Sequence, residues 1–322
     1  MPTGPAESPA IAVHSLAVFD PDELVEAVGS STLTHTQLSG GSFRGEVLAA
    51  QFGSCRVDTG RYSQTLISRG AFPSDQLVIG CLLDSGAAGC LNGYRFGRHD
   101  CVVFPAGAEL DYLLPADTYW VALQVPQASM EAYGPDRIAA RGQQLISGSQ
   151  GIGARFVAQI KGVLDAITAG AGEPAGVTQS GANWLESLLL DTVCCLLSEN
   201  LAGADARPHH AVRMALVRAF ERLVEDNDYR NLRIADIATR LNVSQRTLES
   251  CFKDLLGMSP MQYLIRLRLN AIHHALMRYS DDSATVETIA RQHGVNHLGR
   301  FSAYYRAQFG CNPRATLRRR FR

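Results

Sequence analysis

The chain has 322 residues, is 46% hydrophobic and 19% charged, and so has ordinary globular composition with length for about two domains. Its richest apolar stretch, residues 188–197, is broken by Asp191, and residues 1–10 lack the basic start of a signal peptide, so a soluble cytoplasmic protein with no membrane partner is expected. The formal net charge of −1 hides a division: residues 1–207 sum to −10 and residues 208–322 to +9, an acidic part joined to a basic part suited to a polyanion.

In chain order, residues 1–19 read as an arm. Asp20-Pro21-Asp22-Glu23 then reads as a helix start, with an acidic cap, Pro in the first turn and Glu at the third position, and Gly29 is expected to end that helix. From residue 43 to 125 the pattern becomes short β-type runs: 46–52, 62–68, 76–83, 89–91, 100–104, 111–114 and 119–125. Leu91-Asn92-Gly93-Tyr94 and Asp84-Ser85-Gly86 fit hairpin turns. Such even spacing predicts a sandwich or small barrel. Apolar residues three and four apart predict helices over 152–169 and 183–201, the second with apolar surface enough for its own domain and a second subunit. Residues 202–210, small and polar, suit a linker. The expected division is therefore an N-terminal domain over 1–201, a linker over 202–210 and a basic C-terminal domain over 211–322.

The eight cysteines, Cys55, Cys81, Cys90, Cys101, Cys194, Cys195, Cys251 and Cys311, form no C-x-x-C pair and lack zinc-finger spacing, which predicts reduced thiols and no metal. Residues 1–207 hold only His14, His35 and His99, too few for a metal-dependent cupin site, and no catalytic or nucleotide fingerprint stands in its required context. No enzyme and no cofactor are expected.

The basic part contains a repeat. Ile234-Ala-Asp-Ile237-Ala238 recurs as Val286-Glu-Thr-Ile289-Ala290, and Gly257-Met-Ser-Pro260 as Gly310-Cys-Asn-Pro313, the second copy gaining one residue in its turn. Each copy reads as a helix-turn-helix. In the first, Asn242 allows a left-handed turn, Ser244 caps the second helix, and Leu248, Cys251, Phe252 and Leu255 face inward. In the second, Gly294 occupies the turn, Asn296 is the expected cap, and Leu298, Phe301, Tyr305 and Phe309 face inward. A long helix over 260–279 would space the two second helices for successive major grooves, about 34 Å apart. Ser244, Gln245, Arg246, Glu249, Ser250 and Lys253 of the first copy, and His297, Arg300 and Arg306 of the second, are the candidate DNA-binding residues. Arg can pair with guanine, Glu can accept from cytosine, and Lys253, Arg306 and the terminal arginines suit phosphates.

Ile234-Ala-Asp-Ile-Ala, Ser244-Gln-Arg-Thr-Leu248, Cys251-Phe252-Lys253, Gly257-Met-Ser-Pro260, Arg266-Leu-Arg-Leu269 and Gly310-Cys-Asn-Pro313 together resemble the AraC/XylS family DNA-binding domain over residues 213–320. The resemblance implies that Arg246, Glu249 and Ser250 read bases. The matching second-copy positions include Gly299 and Ala303, which carry no hydrogen-bonding side chain, and Val295 replaces the usual Phe after the turn. The string from His297 to Arg306 resembles the ethanolamine-operon and aromatic-amine regulator branch, and residues 91–105 resemble its sensor domain more weakly. An α+β two-domain protein is implied: an N-terminal cupin-like β-barrel with helices as sensor and dimerisation domain over 1–201, and an all-α C-terminal double helix-turn-helix as DNA-binding domain over 211–322. Its expected partners are promoter double-stranded DNA, a small-molecule effector, a second subunit as homodimer, and RNA polymerase. Tyr62, Gln64, Cys81, Glu109, Tyr112 and Trp120 are the candidate effector-binding residues, and the acidic Glu109 and Asp111 would suit an amine. A thiol redox-responsive regulator, and a metal-independent cupin enzyme fused to a DNA-binding domain, remain alternative readings.

Overall fold

The structure, a computed structural model, describes residues 11–24, 32–131, 144–146, 151–170, 178–199, 211–226, 232–278 and 285–319. The chain opens with β1 (Ile11–Val18), so the described part of the expected arm is a strand, paired along its whole length with β3. The Asp20 carboxylate accepts from the Asp22 N–H and Glu23 reaches back to the Phe19 N–H, capping a single 3-10 turn over Pro21–Glu23. Residues 25–31, where that helix was expected to run on to Gly29, lie outside the described residues.

Eleven further strands follow: β2 (Thr34–Gln37), β3 (Gly45–Phe52), β4 (Cys55–Tyr62), β5 (Leu66–Ala71), β6 (Gln76–Asp84), β7 (Gly89–Leu91), β8 (Tyr94–Phe96), β9 (Cys101–Phe104), β10 (Glu109–Leu114), β11 (Thr118–Pro126) and β12 (Gln144–Ile146). They form two sheets, β1-β3-β4-β11-β6-β9-β12 and β2-β5-β10-β7-β8. Among the described residues these ladders do not close, so the expected cupin-like barrel is corrected to a two-sheet sandwich. The run 62–68 was misplaced: it straddles the end of β4 and the start of β5, and β4 was missed because Gly60 and three charged residues interrupt its alternation. Asn92 and Gly93, both at positive φ, turn β7 back on β8 as expected. Asp84-Ser85-Gly86 is not a hairpin, since β6 belongs to one sheet and β7 to the other.

The helices are α1 (Gln127–Glu131), α2 (Gly151–Gly170), α3 (Gln179–Glu199), α4 (Ala211–Asp226), α5 (Ile234–Arg240), α6 (Gln245–Leu256), α7 (Pro260–Arg278), α8 (Val286–Gln292), α9 (Leu298–Phe309) and α10 (Pro313–Arg319). The expected linker, residues 202–210, lies outside the described residues. None of the described helices is long and apolar enough to cross a membrane.

Burial defines four cores. Phe156, Ile160, Leu189 and Leu196 of α2 and α3 pack on the outer face of the larger sheet. Val47, Tyr62, Val78 and Leu110 meet between the two sheets. Leu38, Ile67 and Cys90, on the other face of the smaller sheet, join Met214, Phe220, Phe252 and Tyr263. Leu269, Ile272, Phe301, Tyr305 and Phe309 make a core of their own around the second helix-turn-helix.

Candidate nucleic-acid interface and ligand cavity

The two helix-turn-helix units are built alike at atomic detail. In the first, Asn242 takes φ 55 and the Val243 N–H closes on the Ala238 carbonyl at 3.0 Å; in the second, Gly294 takes φ 76 and the Val295 N–H closes on the Ala290 carbonyl at 3.0 Å. Ser244 caps α6 by accepting from the Thr247 N–H at 3.0 Å. Leu248, Cys251, Phe252 and Leu255 are all buried, and Gly257 ends the helix at φ 69. The second reader differs at its start. His297, not Asn296, stands at the cap of α9 and makes no side-chain cap bond; Phe301, Tyr305 and Phe309 are buried and Leu298 is half-buried. Gly310 ends α9 at φ 70, and α7 joins the two units.

Ser244, Gln245, Arg246, Glu249, Ser250 and Lys253 are all exposed on α6 and its cap, as are His297, Arg300 and Arg306 on α9. Gln245 donates to the Glu249 carboxylate at 2.8 Å and Asp254 pairs with Arg213 at 3.3 Å, so the acidic groups on this face are engaged within the protein. Gly299 and Ala303 are exposed and leave α9 with a low, small-residue surface flanked by Arg300 and Tyr304.

The helical part is docked on the smaller sheet. Gln37 and Asn270 exchange a reciprocal pair, Gln37 N–H to Asn270 Oδ1 and Asn270 Nδ2 to Gln37 carbonyl, each 3.0 Å. Gln308 Nε2 also donates to the Gln37 carbonyl at 2.7 Å, and Gln37 Nε2 returns a bond to the Gln308 carbonyl at 2.7 Å. His273 bridges Asp20 and the Tyr305 hydroxyl, 2.5 Å to each, and His274 meets Asp22 at 2.5 Å. Burial alone would raise the Asp20 carboxyl, but its hydrogen bond and charge interaction with His273 overcome that and hold it below the usual range. Farther along, Asp111 pairs with Arg69 at 3.2 Å and with Arg218 at 2.6 Å, while Glu221 meets both Arg69 and the Tyr263 hydroxyl.

Between the sheets lies a cavity of about 70 Å³, walled by Tyr62, Phe72, Phe96, Phe104, Tyr112 and Trp120 with aliphatic neighbours. Tyr62, Cys81, Tyr112 and Trp120 of the candidate effector residues line it. Gln64 and Glu109 do not: Gln64 accepts from Ser39 Oγ at 2.6 Å beside the turn at 39–42, and Glu109 is exposed at the start of β10. Asp111 faces Arg69 and Arg218 instead, on the opposite side of the sheet from Tyr112.

Residues 237–319 match the sequence profile of a family described as "Helix-turn-helix domain". The chain is 33% identical over 103 residues to a probable thc operon regulatory protein of Rhodococcus erythropolis, a stretch covering 32% of this chain and 31% of that one. It is 35% identical over 103 residues to a XylDLEGF operon transcriptional activator of Pseudomonas putida, covering 31% and 32%. The chain thus spans about a third of the length of these curated relatives. Among solved structures, the AraC-like transcriptional activator CuxR overlays 87% of this chain and 99% of its own at 13% identity and a TM-score of 0.45.

The C-terminal third carries a helix-turn-helix domain.

For this helix-turn-helix domain the readable signal was the repeat, because a turn, a cap and four inward positions recur at fixed offsets. The docking residues Gln37, Asn270, His273 and Gln308 were missed. A polar residue inside an amphipathic pattern gives no sign of the surface it meets. Among the thiols, burial pushes Cys55 and Cys90 up to about 11, and Cys101 is raised by its hydrogen bond to Cys81 and by burial. The thiolates that a redox sensor needs are therefore suppressed at these positions.

Proposed function

We propose that this chain is a sequence-specific DNA-binding transcription regulator, an activator like the relatives named for that role, and not an enzyme. The observation that carries the reading is the pair of equivalent helix-turn-helix units, each presenting an exposed polar face, joined by α7. Arg246 and the second carboxylate oxygen of Glu249, the one not bonded to Gln245, supply base-edge chemistry, and Lys253 and Arg306 supply phosphate contacts. It works in the cytoplasm, as a homodimer through the face of α3 bearing exposed Trp184, and alongside RNA polymerase. The string from His297 to Arg306 supports a place near the ethanolamine-operon and aromatic-amine regulators.

The smaller sheet supports control by a small molecule. Its residues alternate between the cavity and the docked helices. Along β10, Leu110, Tyr112 and Leu114 line the cavity, while Asp111 binds Arg218 and Leu113 packs into the core shared with α4 and α6. On β7, Leu91 lines the cavity and Cys90 joins the shared core. Across the sheet, the Tyr112 hydroxyl neighbours the Ser68 hydroxyl, and Ser68 Oγ lies 2.5 Å from His35 Nδ1, beside the Asp22 and His274 pair. A ligand that shifts Tyr112 changes both faces of one strand, and it alters DNA affinity by its differential affinity for the two arrangements.

Footprinting of the full chain on the DNA flanking its own coding region tests the reading. Protection of two adjacent major-groove segments on one face is the expected result. Absence of any protected site at low ionic strength would overturn it.

A further inference from the structure

The cavity also carries information about what fills it. Its walls hold aromatic and aliphatic groups, and among the described residues no charged side chain lines it. The nearest buried carboxylates are committed elsewhere: Asp58 accepts from Arg56 at 2.9 Å and from Gln124 at 2.6 Å, and Asp111 is held by Arg69 and Arg218. The Tyr112 hydroxyl has the Ser68 hydroxyl as its neighbour and is not buried without a partner. Two polar atoms remain. The Tyr62 hydroxyl and the Trp120 indole Nε1 are polar neighbours on rings 5.8 Å apart, and their contact with each other falls short of hydrogen-bond geometry, so neither has a full partner. Tyr62 is only 2% exposed, so water does not satisfy it from the surface. A buried donor left unpaired is costly, and one acceptor placed between these two would satisfy both.

We propose that this cavity binds a small, uncharged aromatic carbonyl compound, its ring between the aromatic walls and its carbonyl oxygen accepting from Trp120 Nε1–H and the Tyr62 hydroxyl. This rests on the effector reading above and names the chemistry of that site. A charged ligand would have to leave its hydration shell for walls that offer no counter-charge, which excludes ammonium and carboxylate compounds of the same size. Burial drives the Tyr62 phenol well above its usual pKa and Tyr112 up to about 12, so both remain neutral and no phenolate arises to receive a cation. The anticipated amine preference is thereby reversed: the acidic residues that prompted it, Glu109 and Asp111, are turned away from the cavity.

The test uses the full chain with Trp184→Phe. That change removes the exposed one of its two tryptophans and leaves Trp120 as the sole indole reporter. Acetophenone, benzylamine, benzoate and toluene are titrated at neutral pH, reading Trp120 fluorescence and melting temperature. Acetophenone is expected to bind saturably, at least about tenfold tighter than benzylamine or benzoate. Tyr62→Phe is expected to weaken acetophenone about tenfold and leave toluene unchanged, which separates the lost hydrogen bond from a damaged fold. Benzylamine or benzoate binding as tightly as acetophenone would overturn the proposal, as would no binding of acetophenone or an unchanged affinity in Tyr62→Phe. Acetophenone that binds as expected without altering DNA affinity would instead overturn the effector reading and leave the ligand class standing.

Discussion

Asp58 is fully buried on β4, and loss of hydration pushes its carboxyl up to about 6, against the lowering effects of Arg56 and Gln124. A carboxyl raised above its unfolded value of 3.8 binds its proton more tightly in the folded state, so stability from this residue falls as pH climbs from about 4 to about 6. Asp58→Asn keeps an oxygen for Arg56 and removes the titration. Its melting temperature relative to the parent is expected to rise across that window and then level, by on the order of 1–3 kcal/mol in stability. A pH-independent offset would show that Asp58 is not the titrating group. On α6 the expectation is different in kind. Arg246 is exposed and buries nothing, so Arg246→Ala leaves the melting temperature unchanged, costs about 1–3 kcal/mol at one base position and relaxes specificity there. Equal weakening on all DNA sequences, measured by competition binding, would place Arg246 on phosphate. These α6 positions were legible because inward and outward residues sort by a simple period. Asp58 was not, because β4 mixes charged residues into both of its buried faces.

At the level of elements, the turn from Leu38 to Ser42 is the tightest join between sheet and helices. The Gly41 N–H donates to the carbonyls of Ala307 and Gln308 at 3.0 Å each, and a Cβ added at Gly40 would stand 2.7 Å from the Ala307 carbonyl oxygen. Gly40→Ala must therefore push the C-terminal end of α9 away while leaving both cores intact. Little change in DNA affinity without ligand is expected, together with severalfold loss of any ligand-dependent change, since coupling energies of 1–3 kcal/mol are typical and this contact is one carrier of them. Hydrogen exchange of the Gly41 amide reports the loosening directly. An undiminished ligand response in a variant with faster Gly41 exchange would remove this turn from the coupling. Most elements could be read in advance: β3, β6, β7 and β9 to β11 fell within a few residues of expectation, as did every helix of the repeat. What the sequence hid was partnership. Strand alternation says that two faces differ, but not that one face of β10 meets a cavity and the other meets α4.

The whole molecule has almost no net charge, yet its charge is sorted by position, −10 over residues 1–207 and +9 over residues 208–322. This sorting decides how salt acts on DNA binding. Counterion release depends on the phosphates that are neutralised locally, with a slope of about −0.9 per phosphate contact in a log–log plot, and not on the sum of charge over the protein. Docking consumes part of the basic charge, since Arg218 pairs with Asp111, but it leaves Arg246, Lys253, Arg300 and Arg306 exposed on the two readers. Affinity of the full chain is therefore expected to fall steeply with salt despite its net charge of −1. Lys253→Ala should reduce the slope by about 1 without altering base preference. Fluorescence anisotropy on one duplex across a salt series measures both quantities. A flat dependence for the full chain would mean that the acidic part screens the readers at a distance, and that the helix-turn-helix units do not meet the phosphate backbone as their exposed faces require.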